Sequence, residues 1–227
     1  MKKKYVSSDG FTLLEILVAV FIFAVTVSTI FGSFKAVLGN VNTIEEGTAQ
    51  YEMAKHCLNR MVSDINSLYL TLPPIYSPPD FDDEPDPYRI LGETDFIGGA
   101  DFSKLRFASR AHLPLENNTQ NGIAQIVYYI QETADNRFVL RRSDTLYPYE
   151  PVEENQNDPI LCENLVSLNF LYYDDEGTEH EFWDSDSEEF GYATPKAIKI
   201  KLKLGDEARA LLLDTMISLP VYREKKE

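Results

Sequence analysis

From Ile16 to Phe34 the chain carries no charged residue, and one acid, Glu15, stands at the mouth of that run. A helix rises about 1.5 Å per residue, so the run reaches roughly the 30 Å thickness of a bilayer core. Such a segment is apolar all round, unlike a surface helix with one polar face. Lys2, Lys3 and Lys4 precede it, which fits a cytoplasmic amino terminus under the positive-inside rule. An acid within a span costs about 2.5–3.5 kcal/mol on insertion scales, so Glu15 calls for a partner and a role.

The hexad Gly10-Phe11-Thr12-Leu13-Leu14-Glu15 joins the basic leader to the apolar run. That order resembles the prepilin signal of type IV pilins and of type II secretion pseudopilins. The resemblance implies cleavage between Gly10 and Phe11 by a membrane-embedded prepilin peptidase, and N-methylation of the new amino terminus on Phe11. Apolar helices of many subunits would then bundle as a fibre core. There Glu15 would meet the terminal ammonium of a neighbouring Phe11 and set the helix register, because an unpaired charge in that place is expensive. A secretory signal peptide would put a small-residue site directly after the apolar segment, and no A-x-A stands there behind Phe31. A plain single-span anchor gives no reason for the hexad's order.

At 227 residues the chain has room for one membrane helix and one domain of ordinary size. Its formal charge is −16. Removing a leader with three lysines and one acid, Asp9, leaves the remainder more negative still. That argues against nucleic acid or anionic lipid as the main partner of the soluble part, and an acidic surface also keeps a secreted domain soluble. The two cysteines, Cys57 and Cys162, leave two readings open. They form a disulfide in an oxidising compartment, or each is a small buried apolar residue.

The organisation reads as a leader (1–10), a transmembrane or fibre-core helix (11–34), an amphipathic continuation (35–72) and a β-rich head (73–227). Ala54, Leu58, Met61, Ile65 and Leu68 recur at helical spacing, while Glu52, Lys55, Asn59 and Asp64 fill other faces. One long helix is therefore expected from about Thr12 to Leu70, ended by Pro73-Pro74. Gly32, Gly39 and Gly47 lower its local stability by about 1 kcal/mol each, which points to a bend or melted turn between the halves. Residues 73–101 read as an acidic, proline-rich loop, and everything after about residue 103 as strand. Ile123–Gln131 is expected to pair with Phe138–Arg142. Val166, Leu168, Phe170 and Tyr172 share one strand face, and Glu179–Trp183 folds back on it across Asp174-Asp175-Glu176-Gly177. Residues 198–204 alternate Ile or Leu with Lys, and Leu213–Leu219 forms a last strand. Strands without intervening helices give antiparallel sheets, which the amphipathic half-helix covers.

The fold class is therefore α+β, with a long amino-terminal helix packed on antiparallel strands, as in the pilin superfamily. Two further features resemble the minor pseudopilin J of type II secretion. One is Leu58-Asn59-Arg60-Met61-Val62-Ser63-Asp64-Ile65. The other runs through Leu140-Arg141-Arg142, Val166-Ser167-Leu168-Asn169-Phe170, Gly177, Trp183 and Pro195-Lys196-Ala197-Ile198-Lys199-Ile200. The resemblance implies an inner-membrane protein with a periplasmic head. It also implies the I and K minor pseudopilins and the major pseudopilin as partners at the tip of a pseudopilus. A minor pilin of a type IV pilus and a membrane-anchored hydrolase or metal-binding sensor are the alternatives. The loop 78–87 departs from the J pattern.

No catalytic constellation emerges. His56 and Cys57 are adjacent on a helix and face apart, His112 lies in a loop and His180 on a strand. No zinc spacing or phosphate loop is present, so neither cofactor nor metal is expected. The acidic runs 80–86, 174–176 and 184–189 lack EF-hand spacing and read as solvated surface. Trp183 and Tyr128, Tyr129, Tyr172 and Tyr173 read as core or interface.

Overall fold

The computed structural model describes residues 11–80, 82–113, 121–149, 155–205 and 210–226, and within these the side chains of all but 36–46. The chain divides into two compact units, Met1–Ala49 and Gln50–Glu227. One helix, α1 (Leu13–Asn66), supplies the first unit and the opening of the second. Thr12 starts it: the Glu15 N–H donates to Thr12 Oγ1 at 3.3 Å. The helix continues through Gly32, Gly39 and Gly47, so the melted turn expected there is not formed.

In the first unit, Leu13–Lys35 has a mean hydropathy of 2.5 and buries nothing. It is long and apolar enough to cross a membrane. Its hydroxyls are silenced locally. Thr26 Oγ1 donates to the Ile22 carbonyl at 2.7 Å, Ser28 Oγ to Ala24 at 2.8 Å, Thr29 Oγ1 to Thr26 at 2.8 Å and Ser33 Oγ to Thr29 at 2.9 Å. Back-bonding of this kind lets a hydroxyl sit in hydrocarbon without an unsatisfied donor.

In the second unit, Ala54, Cys57, Met61 and Ile65 of α1 are buried in the core. Leu58 is only partly buried, because the stripe runs through Cys57 instead. Asp64, read from sequence as a residue of a polar face, is wholly buried. The helix stops at Asn66, short of Leu70. Ser109 packs against its end, its Oγ within hydrogen-bonding distance of the carbonyls of Asp64 at 2.9 Å and Ser67 at 3.2 Å, which also accept the backbone N–H groups of Ser67 and Arg110. Leu68 then bridges to Ser109 as extended chain.

The strands are β1 (Leu91–Ile97), β2 (Ala100–Ser109), β3 (Ala124–Glu132), β4 (Phe138–Leu146), β5 (Ile160–Tyr173), β6 (Glu179–His180), β7 (Trp183–Asp184), β8 (Ala197–Leu204) and β9 (Leu211–Ser218). They form one antiparallel sheet in the order β7-β1-β2-β3-β4-β5-β8-β9, with β6 paired to β5. The molecule is thus α+β and pilin-like, an apolar amino-terminal helix followed by an antiparallel sheet. Ala124, Ile126, Tyr128 and Ile130 of β3 join the same hydrophobic cluster as the α1 stripe. Ile198, Ile200, Leu202 and Leu204 of β8 enter it as their alternation predicts.

Three strand expectations need correction. Strand β1 lies inside the segment read as loop, since its Gly-Glu-Thr-Asp centre lacks apolar alternation and the pairing with β2 holds it instead. Val166 is out of phase with Leu168, Phe170 and Tyr172. Asn164 takes a positive φ of 55° and the register slips between Leu165 and Ser167, so Leu165 is buried in its place. Trp183 leaves the hairpin after His180 and pairs with Gly92 of β1, stacking on Phe190 at 4.1 Å. Trp183, Tyr128, Tyr129 and Tyr172 are all core residues.

Gly92 is where β1 meets that core. A Cβ there would overlap the Tyr172 ring and hydroxyl. We expect Gly92→Ala to cost about 1–3 kcal/mol in urea unfolding of the detergent-solubilised chain. Tyr172→Phe should be near neutral, because its buried hydroxyl lacks a hydrogen-bond partner.

Candidate functional site

Gly10 lies outside the described residues. Phe11 is 82% exposed and Glu15 is also exposed. Phe11, Ile16, Ala19, Val20 and Phe23 share a groove with Glu15, so its carboxylate stands on apolar ground. Sequence reasoning passed over Thr12. Thr12-x-x-Glu15 is a capping-box spacing, in which the threonine oxygen accepts from the N–H three residues on. Glu15 also sits in the first turn, where the helix dipole favours negative charge. Thr12 and Glu15 thus share a local role at the start of the helix.

The second feature is a buried ion cluster that staples α1 to the sheet. Arg142 on β4 is wholly buried, directly across from Tyr128 on β3. Its Nε donates to Asp64 Oδ2 at 2.7 Å and its Nη1 to Asp144 Oδ2 at 2.6 Å. Tyr128 donates a short bond to the same Asp64 oxygen, and Arg60, one turn earlier on α1, pairs with Oδ1. Arg60 Nη2 and Arg142 Nη2 both donate to the Ala111 carbonyl, at 2.6 and 3.1 Å. His112 Nδ1 stands 2.7 Å from Asp144 Oδ1.

The two arginines balance the two aspartates, which is what allows the charges to stay buried. Burial opposes the charge on Arg142, but the hydrogen bonds and charges of Asp64 and Asp144 outweigh it and hold its pKa above the ordinary value. Burial first, then the Asp64 carboxylate, push the Tyr128 hydroxyl well up, so it remains a donor. The fold brings Arg60 and Asp64 of α1 together with Arg142 of β4.

A third cluster fixes the acidic loop. Arg223, near the carboxyl end, is buried with its guanidinium 3.3 Å from the Tyr76 ring centroid. It stands 3.4 Å from Asp86 Oδ2 and 3.7 Å from Asp186 Oδ1, and its Nε donates to the Tyr192 carbonyl at 2.7 Å. Asp186 also accepts from the Tyr76 hydroxyl at 2.6 Å and the Asp86 N–H at 2.8 Å. Burial, then the Asp186 bond, push the Tyr76 hydroxyl up. The acidic runs are therefore not uniformly solvated. Asp80, Asp82, Asp83 and Glu84 are exposed, whereas Asp86 and Asp186 are internal anchors.

His56 is exposed while Cys57 is buried, so the two do not meet. His180 Nε2 lies 3.2 Å from Asp174 Oδ2. Among the described residues, no group of three or more His, Cys, Asp or Glu side chains is placed to hold a metal.

A family model described as the prokaryotic N-terminal methylation motif matches residues 7–31. No curated protein matches the chain. The motif marks an amino terminus of the type IV prepilin kind and supports a protein of pilin or pseudopilin type. It covers the proposed cleavage point, Glu15 and most of the apolar run.

Removing one member of the buried ion pair strands the other. Asp64→Ala should cost about 3–5 kcal/mol in urea unfolding of the detergent-solubilised chain. Asp64→Leu combined with Arg142→Met should recover much of that loss, since an apolar pair leaves no uncompensated charge.

Proposed function

We propose that the chain is a non-enzymatic minor pseudopilin of a type II secretion system, anchored in the inner membrane with its head in the periplasm. One observation carries the reading: the methylation motif over residues 7–31 runs into a fully exposed apolar helix that leads to an α+β head. In this reading a prepilin peptidase cuts between Gly10 and Phe11, and the new terminus on Phe11 is methylated. The apolar helix rests in lipid until assembly and then joins a bundle of like helices. Glu15 pairs there with the ammonium of a neighbouring Phe11. The head associates with the I and K minor pseudopilins at the tip of the pseudopilus, above the major pseudopilin.

The choice of a secretion system rests on the resemblance of two sequence segments to the J-type pseudopilin, and the Asp64–Arg142 pair at 2.7 Å joins those segments. The amino-terminal motif is shared with minor pilins of type IV pili, so a deletion strain discriminates the two. Lost export of folded proteins with pili intact supports secretion, and lost pili with export intact supports the pilus.

Intact-mass analysis of membrane-extracted protein should show loss of residues 1–10 and a gain of about 14 Da for one methyl group. Retention of Met1–Gly10 in working cells refutes the proposal. Glu15→Ala should leave cleavage largely intact but reduce incorporation into the fibre, scored by cross-linking and by export. Normal export with that variant argues against the register role.

A further inference from the structure

Cys57 on α1 and Cys162 on β5 aim their Sγ atoms at each other across the core, 3.3 Å apart. Even carbon atoms pack at about 3.5–4.0 Å, so the sulfurs are closer than ordinary contact. Each cysteine is 1% exposed. Cys162 is registered against Leu140 of β4, where the pairing slips, and Cys57 sits in the buried stripe between Ala54 and Met61. The positions are 105 residues apart in sequence and belong to different layers of the head.

We propose that Cys57 and Cys162 form a disulfide that fastens the amphipathic part of α1 to β5 as the head folds. The proposal rests on the periplasmic placement given above, because such bonds persist only in an oxidising compartment. The oxidant is a protein or small molecule carrying a reactive disulfide. One cysteine thiolate attacks that disulfide and displaces a thiolate. The second cysteine then attacks the mixed disulfide. The Cys57–Cys162 bond forms, the two thiols give up two protons and two electrons, and the oxidant leaves as a dithiol. This happens before α1 docks. In the folded head both sulfurs are enclosed, and the bond to Cys162, then burial, push the Cys57 thiol up and out of the reactive range.

The placement gives the bond a mechanical sense. Asp64 lies about two helical turns beyond Cys57 on the same side of α1. The helix would then be held to the sheet twice, once by a covalent bond and once by the Asp64–Arg142 ion pair. A pull along α1 would load the sheet rather than peel the helix away.

The test uses the full chain, made in a reducing cytoplasm, purified in detergent, unfolded in urea with reductant and then refolded in glutathione buffers, so that both thiols meet the buffer before α1 docks. Samples are acid-quenched, denatured, treated with a maleimide and weighed intact. We expect no adduct and a loss of about 2 Da in oxidising buffer, and two adducts after reduction. Cys57→Ala should take one adduct. Should it take none, the wild-type protection has another cause and the proposal fails. Reduction should lower the wild-type melting temperature by about 5–15 °C and leave the Cys57→Ala variant unmoved. Two adducts in every buffer overturn the bond and leave the pilin-type reading untouched. The same alkylation is then applied to membrane-extracted protein, where absence of adducts supports the proposal. Two adducts there, from a chain that closes in glutathione, refute the periplasmic placement and the cellular bond with it.

Discussion

A fully buried carboxylate on α1 is tolerable only because a fully buried guanidinium on β4 meets it. Asp64 and Arg142 therefore define how helix and sheet fit together. A slip of the helix by one residue would carry Asp64 off Arg142 and Tyr128 and leave charges in the core without partners. Apolar burial supplies the attraction between the layers, but it is nearly indifferent to small slides. The ion pair is not indifferent. It converts an oily contact between Ala54, Met61, Ile65 and the strands into a single arrangement.

Arg223 does for the far edge what Arg142 does for the centre. Among the described residues, the loop after α1 has no strand until Leu91, and prolines keep a ladder from forming along it. It is held instead through Tyr76 and Asp86, which meet Arg223 and Asp186. Three chain segments remote in sequence thus converge on one guanidinium. An excess of acid in such a head coexists with order because the buried arginines, Arg142 and Arg223, each meet buried or part-buried aspartates.

Much of this was legible beforehand. The apolar run opens α1 as expected, the alternation in β8 appears where its period puts it, and the stripe on α1 does so except at Leu58, which yields to Cys57. What escaped was set by tertiary partners. Strand β1 has glycine, acid and threonine at its centre and is a strand because β2 and β7 flank it. Asp64 reads as a surface residue until Arg142 arrives from 78 positions away. The shift at Leu165 follows from a bulge, which leaves no mark in hydrophobic alternation. At the amino terminus, the acid and the apolar run behind it were readable as a set because the spacing of charge and span is local. The capping role of Thr12 was equally local and was overlooked because the acid drew the interpretation.

The hydroxyls of the apolar helix have a quieter meaning. Thr26, Ser28, Thr29 and Ser33 each spend their donor on their own backbone, leaving that stretch with nothing further to ask of its surroundings. A cylinder of that kind does not distinguish sharply between oil and the flank of another such cylinder. Leaving one for the other rearranges shape contacts only, so the journey could run in either direction at small cost. Direction would then have to come from the end of the rod, where Glu15 stands exposed.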